Sequence, residues 1–303
     1  MRVRRAAAVC AGLLAAGSAL PHAQKRPPIR VESNLVNVLT SVLGADGRPI
    51  LDLPVDSFEI YEDGVKQKIA RFEPETNQPL DLALMIDTSL SAIKELKTES
   101  EAAAHFIRQV VRPGDALAVF EFDESVTQLS EFSADVPRLQ EAVRRVTPGS
   151  GTAMYDAVVL GARELGQRPG DRRRVIVMVT DAGETTSDST FEATRRAAIA
   201  SEALIYTIVV RPIKSENGRN TAGEHALETI IESTGGAVFY LDSYQQLDAM
   251  FEQIDRELRT QYLLGYYPQP RPPAGNYRHI EVRVQGAAVL HYRKGYFAAA
   301  GTR

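Results

Sequence analysis

The sequence is almost without cysteine and wholly without tryptophan: 303 residues hold one Cys, Cys10, and no Trp. Cys10 lies in an N-terminal segment with the marks of a removable leader. The rest of the chain can therefore form no disulfide and offers no thiolate to zinc or to a substrate. An excess of positive charge is also missing. Lys plus Arg number 35 against 39 Asp plus Glu, a net charge of −4, which argues against a nucleic-acid binder held by phosphate contacts. After the leader, no run approaches the ~18 apolar residues that a membrane-spanning helix needs. Catalytic signatures are absent too: no Gly-x-Ser-x-Gly elbow, no His-Glu-x-x-His pair and no P-loop occur. The histidines past the leader, His105, His225, His279 and His291, have no metal-ligand spacing, and His279 and His291 are expected on strand faces.

What is present begins with the leader. Arg2, Arg4 and Arg5 give a basic start, Ala6 to Leu20 is small and apolar, and His22 to Arg26 is polar. This is the layout of a secretory signal peptide over residues 1–23, cut after Ala19 or Ala23. The stretch is too short and too rich in Ala and Gly to span a bilayer. A mature protein in the periplasm or secreted from the cell is expected, with no membrane span left. Loss of three arginines makes it more acidic than the whole chain.

Residues 24–77 read as a β-rich segment. Val36, Val38, Thr40 and Val42 alternate as in a half-buried strand, and Phe58 to Phe72 reads as a hairpin around Asp63-Gly64. Residues 78–260 change texture to alternating strands and helices. Leu82 to Ile86, Ala116 to Phe122 and Arg174 to Thr180 are continuous apolar runs, the mark of strands covered on both faces. Helical spacing is found from Ser91 to Val111, Ala153 to Leu165 and Leu247 to Leu258. The alternation predicts an α/β fold, a doubly wound and mostly parallel sheet with helices on both faces. Residues 261–303 return to strand texture, with Ile280, Val282 and Val284 alternating. Neither flank is comfortable as a core by itself, so 261–303 is expected to pair with 31–73 as one small β-sandwich holding the α/β part as an insertion. The tyrosines of the C-terminal strands are expected mostly in the sandwich core. The run Arg172-Arg-Arg174 is expected as a solvated loop.

Three segments are placed to meet at the carboxyl edge of the predicted sheet, where open α/β sheets bind ligands. They are Asp87-Thr-Ser89-Leu-Ser91 after one strand, Gly149-Ser-Gly-Thr152 before a helix, and Asp181-Ala-Gly-Glu184 after another strand. Asp87, Ser89, Ser91, Thr152 and Asp181 would offer only oxygen. Such a set suits Mg²⁺, Mn²⁺ or Ca²⁺ and not zinc. Singly, each has a simpler use: the serines and Thr152 could cap helices, and Asp181 could close a turn. Three loops converging outweigh that reading.

Asp87-x-Ser89-x-Ser91, a Thr after a Gly-containing turn and an Asp ending a later buried strand resemble the von Willebrand factor type A domain over roughly residues 80–258. The resemblance implies a metal-ion-dependent adhesion site. Ser89, Ser91 and Thr152 would touch the ion, and Asp87 and Asp181 would act through water. Ser150 and Ala182 stand where glycine is frequent, and neither removes a ligand. Glu62-Asp-Gly64, Leu264-Gly-Tyr-Tyr267 and Arg293-Lys-Gly-Tyr296 also resemble a bacterial secreted group of such proteins, many from Acidobacteria.

The expected function is a metal-dependent binding module, not an enzyme, whose ion takes its last ligand from an acidic group on a partner. The partner is a protein or another ligand bearing such a group. The competing expectations are a scaffold with metal-independent contacts and a metal-dependent hydrolase. The hydrolase lacks an evident general base; Glu184 is the nearest carboxylate by sequence.

Overall fold

A computed structural model describes residues 35–74, 78–89, 96–210 and 221–298. The expected leader, Cys10, and Ser91 with the expected start of its helix lie outside the described residues. In chain order the strands of the N-terminal flank are β1 (Val36–Leu43), β2 (Phe58–Glu62), β3 (Val65–Gln67) and β4 (Ile69–Glu73). Then follow β5 (Leu80–Asp87), α1 (Leu96–Val110), β6 (Ala116–Phe122), β7 (Val126–Ser133), α2 (Val136–Val143), α3 (Met154–Gly166) and β8 (Arg173–Thr180). The α/β part continues with α4 (Phe191–Ser201), β9 (Leu204–Val210), α5 (Thr221–Thr234), β10 (Val238–Leu241) and α6 (Leu247–Arg259). The C-terminal flank supplies β11 (Tyr262–Tyr266), β12 (Tyr277–Val284), β13 (Val289–Tyr292) and β14 (Gly295–Phe297).

The apolar runs form the central sheet, in the order β10-β9-β8-β5-β6-β7. Every pairing is parallel except β6 with β7. All eight residues of β5 are buried, as its continuous apolar sequence requires of a strand covered on both sides. Alternate residues serve opposite faces. Leu82, Leu84 and Ile86 pack with Phe106 and Ile107 of α1, Leu139 of α2 and Phe251 of α6. Ala83 and Met85 pack with Ala157 and Val158 of α3, Ala198 of α4 and Leu227 and Ile230 of α5. Strand order runs outward in both directions from the β5–β8 pair, so the switch point of the sheet lies between their carboxyl ends.

The flanks form two antiparallel sheets that share strands from both ends of the chain: β13-β1-β11-β4 and β14-β12-β2-β3. The register sets Val38 opposite Leu264 and Val282 opposite Ile60. Val36, Val38, Leu264 and Tyr266 of one sheet meet Phe58, Ile60, Ile280 and Val282 of the other in a common core. The α/β part is thus inserted in a small β-sandwich, the expected fold class. The Asp63-Gly64 turn joins β2 to β3 with positive φ at both residues, 44° and 80°, the type I′ form that suits a two-residue hairpin. Of the C-terminal tyrosines, Tyr262, Tyr266 and Tyr292 are buried and Tyr267 is half exposed.

Two readings of charged residues change. Arg172 to Arg174 are no solvated loop. Arg172 pairs with the buried Asp81, and the buried Arg173 donates to the carbonyls of Gln78 and Leu258. A basic run before a strand has the same look whether it meets water or buried acceptors. His291 does not merely decorate a strand. Its Nδ1 lies 2.8 Å from Glu257 Oε1, which also accepts from Tyr206 Oη at 2.8 Å. Gln261 Nε2 adds bonds to Ser41 Oγ and Tyr206 Oη, so a buried polar network ties the sandwich to the α/β part.

If the flanks are one core, a cavity cut in one must loosen both. Leu264→Ala removes a fully buried side chain and should cost about 2–5 kcal/mol in urea unfolding. Hydrogen exchange should then show β1 and β2 losing protection together with β11 and β12.

Candidate metal centre

The carboxyl ends of β5 and β8 are joined directly. Asp87, the last residue of β5, accepts from Thr180 Oγ1 at 2.6 Å through Oδ2 and from the Ser89 amide at 3.0 Å through Oδ1. Thr180 Oγ1 in turn accepts from the Ala182 amide at 3.1 Å, turning the chain sharply after β8. Ala182 sits at φ +62°, a left-handed conformation that glycine would adopt more easily. Asp181 Oδ1 then accepts from the Gly183 amide at 2.9 Å.

The third loop is stapled to the first through Thr88. The Thr88 amide donates to Phe122 O at the end of β6, and Thr88 O accepts from the Gly149 amide at 2.8 Å. Gly149 is required there: a Cβ would fall 2.0 Å from a carboxylate oxygen of Asp123. Thr152 is fixed to the second loop, its amide donating to Thr185 Oγ1 and its carbonyl accepting from the Thr185 amide, both at 2.9 Å. Gly183 marks the convergence. A Cβ on it would stand 3.0 Å from Asp181 Oδ1 and 3.2 Å from Thr152 Oγ1, so both oxygens flank one small gap.

Four of the five residues singled out in the sequence therefore lie on adjoining loops at one sheet edge. Asp87, Ser89 and Thr152 are buried and Asp181 is half-buried, while Ser91 lies outside the described residues. Glu184 is committed elsewhere. Its Oε2 accepts from the Tyr155 amide at the start of α3 and from Ser187 Oγ, and its Oε1 accepts from the Ser187 amide. Asp156 is likewise occupied, receiving the amides of Asp188 and Ser189 at 2.9 Å. Both carboxylates brace the loop after β8 against α3.

The electrostatics are one-sided. Burial pushes the Asp87 carboxyl up to about 6, and the charge of Asp181 adds to this against the bonds from Thr180 and Ser89. Glu99 on α1, only 1% exposed, is pushed well above the ordinary carboxyl range by burial and then by the charges of Asp87 and Asp181. Among the described residues no cation ranks with the leading influences on either group. Among the described residues no three His, Cys, Asp or Glu side chains stand close enough to hold an ion without other donors. A site of this kind must draw on hydroxyls, as the Ser and Thr here provide. Sequence reading passed over Glu99, although a signal was there: it falls on the apolar stripe of α1 between Leu96 and Ala103, where a charge is out of place.

Residues 82–184, the span from β5 to Glu184, match the von Willebrand factor type A domain family. No curated protein matches the chain. Among solved structures, a von Willebrand factor type A protein from Catenulispora acidiphila superimposes with a TM-score of 0.53 at 12% identity. The match covers 87% of this chain and 72% of that one. The pilus adhesin SpaC from Lactobacillus rhamnosus GG, in its open conformation, gives a TM-score of 0.50 at 9% identity, over 85% of this chain and 49% of that one. At these identities the likeness is one of fold. The α/β part of this chain thus shares the fold of these structures, and its residues 82–184 carry the match to the von Willebrand factor type A family.

The strain at Asp87 has a measurable sign. Below the ordinary aspartate value of 3.8 the group is protonated in both the folded and unfolded chain. Between 3.8 and about 6 the unfolded chain gives up the proton while the folded one keeps it, so stability falls as pH rises through this window. Two units correspond to about 2–3 kcal/mol. In chelator-treated protein, Asp87→Asn should unfold at higher urea than the wild type at pH 7, and the gap should close by pH 3.5.

Proposed function

We propose that this type A domain is an extracytoplasmic, divalent-metal-dependent binding module, with Mg²⁺ as its ion and Mn²⁺ or Ca²⁺ as substitutes. Ser89, Ser91 and Thr152 would hold the ion directly, and Asp87 and Asp181 through water. The observation that carries the reading is the convergence of Thr152 and Asp181 on the gap beside Gly183, next to an Asp87 whose charge is disfavoured by its surroundings. Like charges gathered at a loop edge without a nearby cation are costly unless a cation offsets them. The donors are hard oxygens, which suits Mg²⁺ and excludes a thiolate or imidazole site.

Two carboxylates acting through water leave a dication incompletely neutralised. A carboxylate from a partner, in our reading a protein, completes its coordination. The leader expected from the sequence supports a site outside the cytoplasm. No helix among the described residues is long and apolar enough to cross a membrane. The role is binding and not catalysis, because Glu184, the nearest carboxylate by sequence, is bonded to the α3 amide end and to Ser187 and is not free as a base. The pilus adhesin with the same fold fits a role in adhesion.

Calorimetric titration of Mg²⁺ and Mn²⁺ into the chain without its leader should give one site per molecule, and Asp181→Ala should abolish it. Hydrolysis of p-nitrophenyl phosphate should stay at background with either ion present. Wild-type protein that takes up neither ion would end the metal-dependent reading.

A further inference from the structure

Among the described residues, three buried carboxylates are met directly by arginines, and Glu257 by His291 and Tyr206. Asp81, at the start of β5, is met by Arg168 and Arg172, each at 2.8 Å. Asp115 receives Arg259 at 2.6 Å and the Leu80 amide at 2.7 Å. Glu62 receives Arg278 at 2.9 Å and the hydroxyls of Tyr266 and Tyr296. Each is neutralised where it lies, as burial of a charge demands.

Glu99 is different. It is 1% exposed in the first turns of α1, and its Oε1 has no hydrogen-bond partner among the described residues. The charges it senses are those of Asp87 and Asp181, both of its own sign. A Leu or Met would suit this position on the apolar stripe better than an unpaired carboxyl. Left alone, Glu99 stays protonated; to ionise it needs a positive charge on the side of Asp87 and Asp181. Glu99 does not join those two in a cluster tight enough to ligate an ion, so its influence is exerted at one remove.

We infer that Glu99 is a positioning residue of the metal centre, a third carboxylate behind the first set of ligands that holds the cation from the core side of the domain. The inference rests on the cation reading of the site and adds a residue to it. Its chemistry is that of an outer carboxylate, which orients an ion-bound water or a ligating hydroxyl and adds negative charge within reach of the ion. Loss of such groups costs roughly 10–100-fold in metal affinity. The arrangement also makes the site hold its cation before any partner arrives, since negative charge is supplied from beneath as well as from the loops.

The test is Mn²⁺ titration by calorimetry into wild type, Glu99→Gln and Glu99→Met, with thermal melting of each in chelator. Both variants should bind Mn²⁺ at least about tenfold more weakly than wild type, while melting at or above the wild-type temperature without metal. Equal Mn²⁺ affinity in wild type and variants would overturn the inference and leave the site reading standing. A variant that melts lower without metal would make Glu99 a residue of the fold and would overturn it as well. Wild type that binds no Mn²⁺ would remove the site reading, and this inference with it.

Discussion

The architecture turns on one constraint: the chain must leave the sandwich and return to it at the same place. Strand β1 lies between β11 and β13, so its two neighbours come from the far end of the sequence. Val36 pairs with Tyr266, and β1 cannot be completed until everything between them has been folded out of the way. Such distant pairing is slow to form, because the closure entropy precedes the contacts that offset it. The inserted α/β domain therefore has to bring its two ends together by its own packing. Arg173 does much of this. Its guanidinium bonds to Gln78 O, where the chain enters the domain, and to Leu258 O, where it leaves. Burial and the neighbouring Arg259 lower its pKa to about 10, still far above neutrality, so the clasp remains charged.

That clasp stands at the amino ends of the parallel strands, and the candidate site stands at their carboxyl ends. The two ends of β5 show the division of labour. At one end Asp81 is neutralised by arginines, and at the other Asp87 is pressed by burial and by Asp181. One end of the sheet is finished by the protein itself. The other is assembled with like charges left facing one another, and under the proposed reading a ligand would offset them there.

Much of the fold is legible in the sequence because its strongest signals are periodic. Leu82 to Ile86 and Arg174 to Thr180 are too apolar to be anything but covered strands, and the alternation from Val36 to Val42 marks a sheet with one face buried. The loops of the site are legible for another reason: Asp, Ser and Thr at strand ends and helix starts are chemically distinctive. What escapes is pairing between distant charges. Nothing near Arg173 announces that its acceptors are Gln78 and Leu258, and nothing near His291 announces Glu257. Glu99 escapes because its meaning depends on Asp87 and Asp181, which the fold alone brings near. Glu184 looks free in sequence, and only the packing of α3 against the loop after β8 shows it in use.

The insertion has a mechanical consequence. A pull applied at residues 35 and 298 enters through β1 and β14. It passes along the backbone between β14 and β13, and across the bonds that pair β13 with β1. Those bonds join Thr40 with Tyr292 and Leu43 with Val289, and none belongs to the central sheet. The inserted domain hangs beside this line of tension, joined to it through β4 and β11. A molecule stretched between residues 35 and 298 would yield in the sandwich while the loops around Asp87, Thr152 and Asp181 kept their shape.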